Sequence, residues 1–247
     1  MYAILQLILL LALLPATLLA QGDVTHAPDV ALRNRRATSS TLRDTLISYY
    51  ELSTTNDSHG TFNLFTNSGP TKFVAGKNGN AYDVSVGPVF MQNSSSFSFN
   101  SKSYTISTWF VASNAATDQT IVAWIGFGGV VMRIAASKAN FYHYDGAWKI
   151  VIQSNTLSSG TWYHYVVRYN LATLTSSLYI NGEYKGQTTA VNACNASSSP
   201  VFRIGQEASY YYANGLIDET AIWYRALTDA EIEELYNSGA GKFYSSF

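Results

Sequence analysis

Ser176-Ser177-Leu178-Tyr179-Ile180-Asn181-Gly182-Glu183-Tyr184-Lys185 is the stretch that decides how this chain folds. Asn181-Gly182 tolerates positive φ at both central positions of a type I′ turn, whose twist matches that of two antiparallel strands. Leu178-Tyr179-Ile180 is therefore expected to fold back on Glu183-Tyr184-Lys185. Upstream, Trp162-Tyr163-His164-Tyr165-Val166-Val167-Arg168-Tyr169 is an aromatic and β-branched run, opened by Ser159-Gly160 and closed by Asn170. That is how a strand between turns is written. Downstream, Phe202-Arg203-Ile204-Gly205 and the run from Gly215 to Tyr224 read as two more strands. The period then changes. Thr228-Asp229-Ala230-Glu231 sets a hydroxyl at N-cap and a carboxylate at N3, a capping box that predicts a short helix with Ile232, Leu235 and Tyr236 on one face. Ser238-Gly239 is its expected end.

The order of these pieces, from Gly160-Thr161-Trp162-Tyr163-His164 through Leu178-Tyr179-Ile180-Asn181-Gly182, Arg203-Ile204-Gly205 and Gly215-Leu216-Ile217-Asp218-Glu219 to Tyr224-Arg225-Ala226-Leu227-Thr228, resembles the laminin-G-like jelly-roll domain of the concanavalin A-like lectin/glucanase superfamily. The resemblance extends upstream to Leu46-Ile47-Ser48-Tyr49-Tyr50-Glu51-Leu52, which looks like the family's opening strand, and to Tyr104-Thr105-Ile106-Ser107-Thr108-Trp109-Phe110, its long core strand. Tyr50 departs from the pattern, standing where the family commonly shows Trp. The resemblance implies an all-β fold: an antiparallel β-sandwich of jelly-roll type with one short C-terminal helix, over residues 44–242. It also implies a non-catalytic extracellular binding module for carbohydrate or for glycosylated or matrix proteins. A protein-binding adhesive domain is the first alternative and a glycoside hydrolase the second.

Composition agrees with a sheet protein. Of 247 residues, 14% are aromatic and 13% charged, against about a quarter charged in an ordinary soluble domain. Pleated surfaces favour aromatic side chains, and strands need fewer charges than exposed helices. A formal net charge of −1 recruits neither nucleic acid nor an anionic membrane. Cys194 is the single cysteine, so no internal disulfide forms; burial or a bridge between chains are its two readings.

Residues 1–22 read as a signal peptide: an uncharged Leu/Ile-rich run, then Pro15 and small residues through Ala20-Gln21-Gly22. Retention as an anchor is the alternative. Residues 23–43 form a polar linker or propeptide in which Arg33-Asn34-Arg35-Arg36 resembles a secretory-pathway processing site; a solvated basic patch is the plain alternative. Cleavage of the leader gives a secreted chain with no membrane partner.

Turn signals then come in close succession: Asn56–Gly60, Asn67–Pro70, Gly76–Asn80 and Gly87-Pro88. Between them Phe62–Phe65, Phe73-Val74 and Ala81–Val84 are expected strands, and Ser94–Phe99 alternates as one. In the long strand Ile106 and Thr108 should share one face and Ser107 and Trp109 the other, with Trp109, Trp162 and Ile217 meeting in one interior. Gly126-Phe127-Gly128-Gly129 is expected to turn a hairpin between 121–125 and 130–134. Asp145-Gly146 should turn a second, between 140–144 and 148–152.

Chemistry is sparse. His26, His59, His143 and His164 with one cysteine make no zinc cage, and His164 is expected to be a core histidine. Sugar hydrolysis needs paired carboxyls, whereas adjacent Asp218 and Glu219 on a regular strand point to opposite faces. The family resemblance implies a structural Ca²⁺ at the sandwich rim, for which Asp57 and Asp218 are the candidate ligands. Turn capping by Asp57 and a backbone or Arg225 bond to Asp218 are the alternatives. For a ligand, Tyr142, Tyr144, Trp148 and Tyr211 are the candidates, since flat rings with polar tips stack on sugars. Alternation sets Tyr142 and Tyr144 on one face and Phe141 and His143 on the other, with the outward face left open. Asn56, Asn93 and Asn195 head N-glycosylation sequons.

Overall fold

A computed structural model describes residues 40–66, 71–85, 91–93, 97–152, 155–207 and 211–247. The leader, Arg33–Arg36, the turns at Asn67–Pro70 and Gly87-Pro88, and Ser94–Ser96 lie outside the described residues. In chain order the strands are β1 (Leu46–Tyr50), β2 (Phe65–Thr66), β3 (Phe73–Ala75), β4 (Asn80–Asp83), β5 (Met91–Asn93), β6 (Tyr104–Ala112) and β7 (Gln119–Ala135). They continue with β8 (Lys138–Tyr144), β9 (Trp148–Ile152), β10 (Trp162–Asn170), β11 (Thr175–Ile180), β12 (Glu183–Thr188), β13 (Ser197–Ile204) and β14 (Gly215–Trp223), followed by helix α1 (Asp229–Tyr236). One sheet runs β12-β11-β10-β6-β14-β4-β3, with β1 beside the far half of β14; the other runs β2-β5-β13-β7-β8-β9. Every pairing is antiparallel.

The deciding hairpin forms as its sequence requires: Asn181 and Gly182 take φ of 54° and 75°, and Ile180 pairs with Glu183. The Asn181 side chain also accepts a 2.9 Å bond from His164 N, tying the turn to β10. Between the sheets lies one aromatic core that includes Tyr50, Tyr104, Phe110, Trp124, Phe141 and Tyr165. Tyr50, in place of the family's usual Trp, is fully buried, and its hydroxyl donates to Phe62 O at 2.9 Å. Cys194 is buried in the same core, and burial pushes its thiol up to about 12, the state of an inert thiol.

Three expectations are corrected. Gly126–Gly129 does not end a strand: β7 runs through it, its first half pairing with β13 and its second with β8. The glycines allow the chain to bulge outward and rejoin its path. Gly129, at φ 145°, sits where a Cβ would fall 2.1 Å from Trp124 O. Secondly, Trp109 and Trp162 do not share an interior with Ile217. Ile217 pairs with Phe110 and points into the core, whereas Trp109 pairs with His164 and faces the other way. Thirdly, Phe62–Leu64 and Phe97–Phe99 are not strands; they pack as aromatic plugs, with Phe97 edge-on to Phe62.

The outer face of the first sheet is sealed by a second core. Leu42, Tyr49, Val166, Tyr179, Trp223 and Ile232 are among its members, with Tyr244 and Phe247 packed against it. α1 starts with the expected capping box, Thr228 to Glu231, and stops at left-handed Asn237, just before the expected Ser238-Gly239. Glu231 also receives both terminal nitrogens of Arg225, at 2.7 and 2.6 Å. Burial alone would raise this carboxyl, but Arg225, Thr41 and Thr228 hold it at about 2. Arg225 Nη2 further donates to Thr41 O at 2.8 Å and Trp223 Nε1 to Leu42 O at 2.6 Å, so the first described turn is bolted to the helix. Trp109 and His164 lie under Tyr236. His164 is a core histidine: Ser107 Oγ sits 2.7 Å from its Nε2, and burial pulls its pKa down to about 3.

Beneath this layer the two adjacent acids share neighbours after all. Glu219 adopts φ 51° and the register slips between Asp218 and Ala221, a bulge that turns the second carboxylate back beside the first. Asp218 Oδ2 accepts from Lys77 N and Asn78 N at 2.8 and 3.1 Å, while Asn78 Nδ2 donates to Glu219 Oε1 at 2.8 Å and Tyr49 OH donates to Oε2. Asp218 is 0% exposed and Glu219 3%. Burial, then the Glu219 charge, push Asp218 up to about 8; burial pushes Glu219 up to about 7 against its two hydrogen bonds. Between the ordinary carboxylate range and pH 8 the folded chain thus holds protons that the unfolded chain has released, so this pair costs stability as pH rises. Glu231, being depressed, acts in the opposite direction below about pH 4.5. Burial also pulls His143 down to about 4 and His164 to about 3. From there up to the ordinary imidazole range the unfolded chain binds more protons, so stability rises with pH and offsets the acid pair. The melting temperature is therefore expected to peak near pH 5 to 6 and to fall on both sides. Glu219→Gln, which keeps a partner for Asn78 and for Tyr49, should flatten the decline towards pH 8 by about 4 °C. An unchanged alkaline slope in thermal melts of that variant would contradict the assignment.

Candidate functional site

The outer face of the second sheet carries no such cover among the described residues. Alternation, which left the choice of faces open, resolves here: Phe141 and His143 point inward, where Tyr104 OH meets His143 Nδ1 at 2.7 Å. Tyr142 and Tyr144 point outward. The Asp145-Gly146 turn forms with Gly146 at φ 106° and pairs Tyr142 with Ile150 and Tyr144 with Trp148. The result is an aromatic ledge on β8 and β9. Trp148 and Ile150 are each 43% exposed and Phe127, at the tip of the β7 bulge, 69%.

A cleft of about 400 Å³ opens along this ledge, lined by Ile125, Val131, Arg133, Tyr142, Trp148, Ile150 and Glu207. Its polar end is an ion pair. Arg133 Nη2 donates to Glu207 Oε2, which also accepts from Thr120 Oγ1 at 3.2 Å. The guanidinium lies 4.9 Å from the Tyr142 ring centroid and 3.8 Å from that of Tyr211. Burial would lower the Arg133 pKa, but Glu207 and the two tyrosines raise it, so the group stays charged. Its Nε is buried without a hydrogen-bond partner.

Three of the four expected ligand residues thus gather around one cation and one cleft: Tyr142 and Trp148 as walls, Tyr211 as the lid of Arg133. Tyr142 and Trp148 meet edge-on at 84°, with centroids 6.4 Å apart, and at 43% exposure Trp148 keeps part of its indole within reach of a flat partner. Tyr144 is different. Its ring rests where a Gly128 side chain would be and is flanked by Phe127 and Trp148, so it buttresses the ledge and does not line the cleft. Arg133 and Glu207 are the residues that sequence reasoning missed. Arg133 was visible as one cation in the apolar run Val130–Ile134; Glu207 follows β13 as an isolated bridge residue with no sequence pattern to mark it.

The proposed calcium ligands do not fit an ion. Asp57 Oδ1 accepts from Tyr49 N, His59 N and Gly60 N at 2.9–3.0 Å, and Oδ2 from Phe62 N at 3.2 Å. Asp218 is occupied in the same manner by Lys77 N, Asn78 N and Glu219 N. N–H groups aimed at both carboxylates take the lone pairs that a hard cation needs. Among the described residues no three Asp, Glu, His or Cys side chains come together to hold one. The alternative reading, turn capping and backbone bonds, describes both residues. Calcium against chelator should therefore leave the melting temperature unchanged, and a rise abolished by Asp57→Ala would overturn this.

A sequence model described as concanavalin A-like lectin/glucanases superfamily matches residues 90–233, more than half of the chain. No curated relative matches the sequence. Similar solved structures include domain 4 of AbnA, a GH43 extracellular arabinanase from Geobacillus stearothermophilus, in complex with arabinotriose. It has a TM-score of 0.67 and 18% identity, over 77% of this chain and 97% of that one. The binding domain of Paraclostridial Mosquitocidal Protein 1 has a TM-score of 0.64 and 20% identity, over 80% of this chain and 53% of that one. The ligand-binding domain of botulinum neurotoxin serotype D, in complex with N-acetylneuraminic acid, has a TM-score of 0.62 and 17% identity, over 78% and 51%. The chain spans nearly all of the arabinanase domain but about half of the toxin domains, and at these identities the likeness is one of fold. Sandwich, strand order and sequence match agree: this chain belongs to the concanavalin A-like lectin/glucanase superfamily.

Proposed function

We propose that the chain is a non-catalytic carbohydrate-binding module whose ligand lies along β8 and β9, on the ledge made by Tyr142 and Trp148. The observation that carries this reading is the cleft: a half-exposed indole next to a charged hydrogen-bonding pair. Sugars are recognised by such a combination, rings stacking on C–H faces while polar groups orient the hydroxyls. The arabinotriose and N-acetylneuraminic acid complexes of the similar folds lend it support. Against catalysis, Glu207 is the one carboxylate lining the cleft among the described residues and is committed to Arg133 and Thr120. Glycoside hydrolysis needs two. Asp218 and Glu219 are buried among Tyr49, Lys77 and Asn78, away from substrate.

Export belongs to this proposal. It rests on the leader at residues 1–22 and on sequon residues Asn56 and Asn195, both at exposed positions. A protein ligand is the second reading, favoured by Phe127, whose 69% exposure at the end of the ledge is more than a sugar needs. A glycan array of the purified domain tests the choice. Binding should appear for oligosaccharides, and Trp148→Ala should weaken it by about 2 kcal/mol, roughly thirtyfold. An array without signal, alongside retained binding to cells or matrix that Phe127→Ala removes, would favour the protein ligand. Turnover of a polysaccharide panel that is lost in Glu207→Gln would contradict the non-catalytic reading.

A further inference from the structure

We infer that the cleft on β8 and β9 selects uncharged saccharides and discriminates against sialylated or uronate-containing ones, with Glu207 as the specificity-determining residue. This rests on the carbohydrate reading above. An arginine flanked by tyrosine rings is ordinarily the element that recruits a carboxylate, because the guanidinium presents a planar fork to two oxygens. Here one arm of that fork, Nη2, already holds a carboxylate, and the Nε edge is buried. Glu207 Oε2 accepts from Arg133 Nη2 and from Thr120 Oγ1, and the Arg133 and Glu207 side chains are 13% and 11% exposed. An incoming carboxylate meets an internal carboxylate already seated on the cation.

The remaining lining of the cleft, Ile125, Val131, Tyr142, Trp148 and Ile150, carries no charge. Arg203 stands on the same outer face, opposite in parity to buried Phe202 and Ile204, but its Nε donates to Gln92 Oε1 at 3.2 Å and it does not line the cleft. The pocket's own charges thus cancel, and a second anion would have to be desolvated beside Glu207 without a partner of its own, an arrangement that works against binding. A neutral ring meets no such obstacle. It stacks on Trp148 and offers hydroxyls, which both donate and accept, to the polar end.

The test uses matched glycan pairs that differ only in a terminal sialic acid, or in a uronate for a hexose, on the full domain at low and high salt. The expected result is binding to uncharged members, affinity within about twofold across the salt range, and carboxylate-bearing counterparts weaker by about tenfold. In Glu207→Gln, whose amide oxygen still accepts from Arg133 while the charge is removed, this preference should shrink or reverse, with a salt-dependent gain for the anionic members. A wild-type preference for the anionic partner would overturn the inference and leave the carbohydrate reading intact. No binding to any saccharide would remove both. Glu207→Gln that folds, as judged by its circular dichroism, yet keeps the wild-type selectivity would show that Glu207 is not the determinant. Should that variant not fold, the wild-type pairs and their salt response decide the matter on their own.

Discussion

Everything in this molecule depends on the outer face of the first sheet being closed. Its strands carry apolar groups on both sides, Ile106 and Phe110 inward and Trp109 outward, so the sheet is unstable in water until something covers it. The C-terminal segment does so. Arg225 holds Glu231 in two bonds and Thr41 O in a third, while Trp223 reaches Leu42 O, so helix, last strand and first described turn close as one unit. Glu231 serves twice, as the N3 residue of the capping box and as the partner of Arg225.

That closure determines where recognition is possible. The inter-sheet core and the second core use up the inner faces and one outer face, and the remaining outer face belongs to β8, β9 and their neighbours. There alternation runs differently: Tyr142, Trp148 and Ile150 point to solvent without a helix above them among the described residues. The ion pair of Arg133 and Glu207 lies at the end of this ledge. Its two charges neutralise each other in the half-buried setting, and two tyrosine rings flank the guanidinium.

Much of this was legible in advance because it is local. Asn181-Gly182, the capping box at Thr228 and the aromatic run at Trp162 each encode their own geometry within a few residues. The choice among outward aromatics was half legible: alternation grouped Tyr142 with Tyr144, but only the sheet partner shows which side is wet. Three features were illegible for physical reasons. A glycine cluster in a strand signals either a turn or a bulge, and the pairing of β7 with both β13 and β8 decides for the bulge. The left-handed Glu219 breaks the alternation from which opposite faces had been inferred, in a residue type that gives no warning of it. Glu207 acquires its role from Arg133, far away in sequence, and no spacing rule joins them.

The central claim is that one outer face is sealed and the other open, and hydroxyl-radical footprinting read by mass spectrometry tests it without any ligand. Oxidation should be rapid at Trp148 and Phe127 and slow at Trp109, Trp124 and Trp223, in line with 43% and 69% exposure against near-complete burial. Trp109 and Trp223 reacting as fast as Trp148 would mean that the C-terminal cover is not in place, and the account would fail.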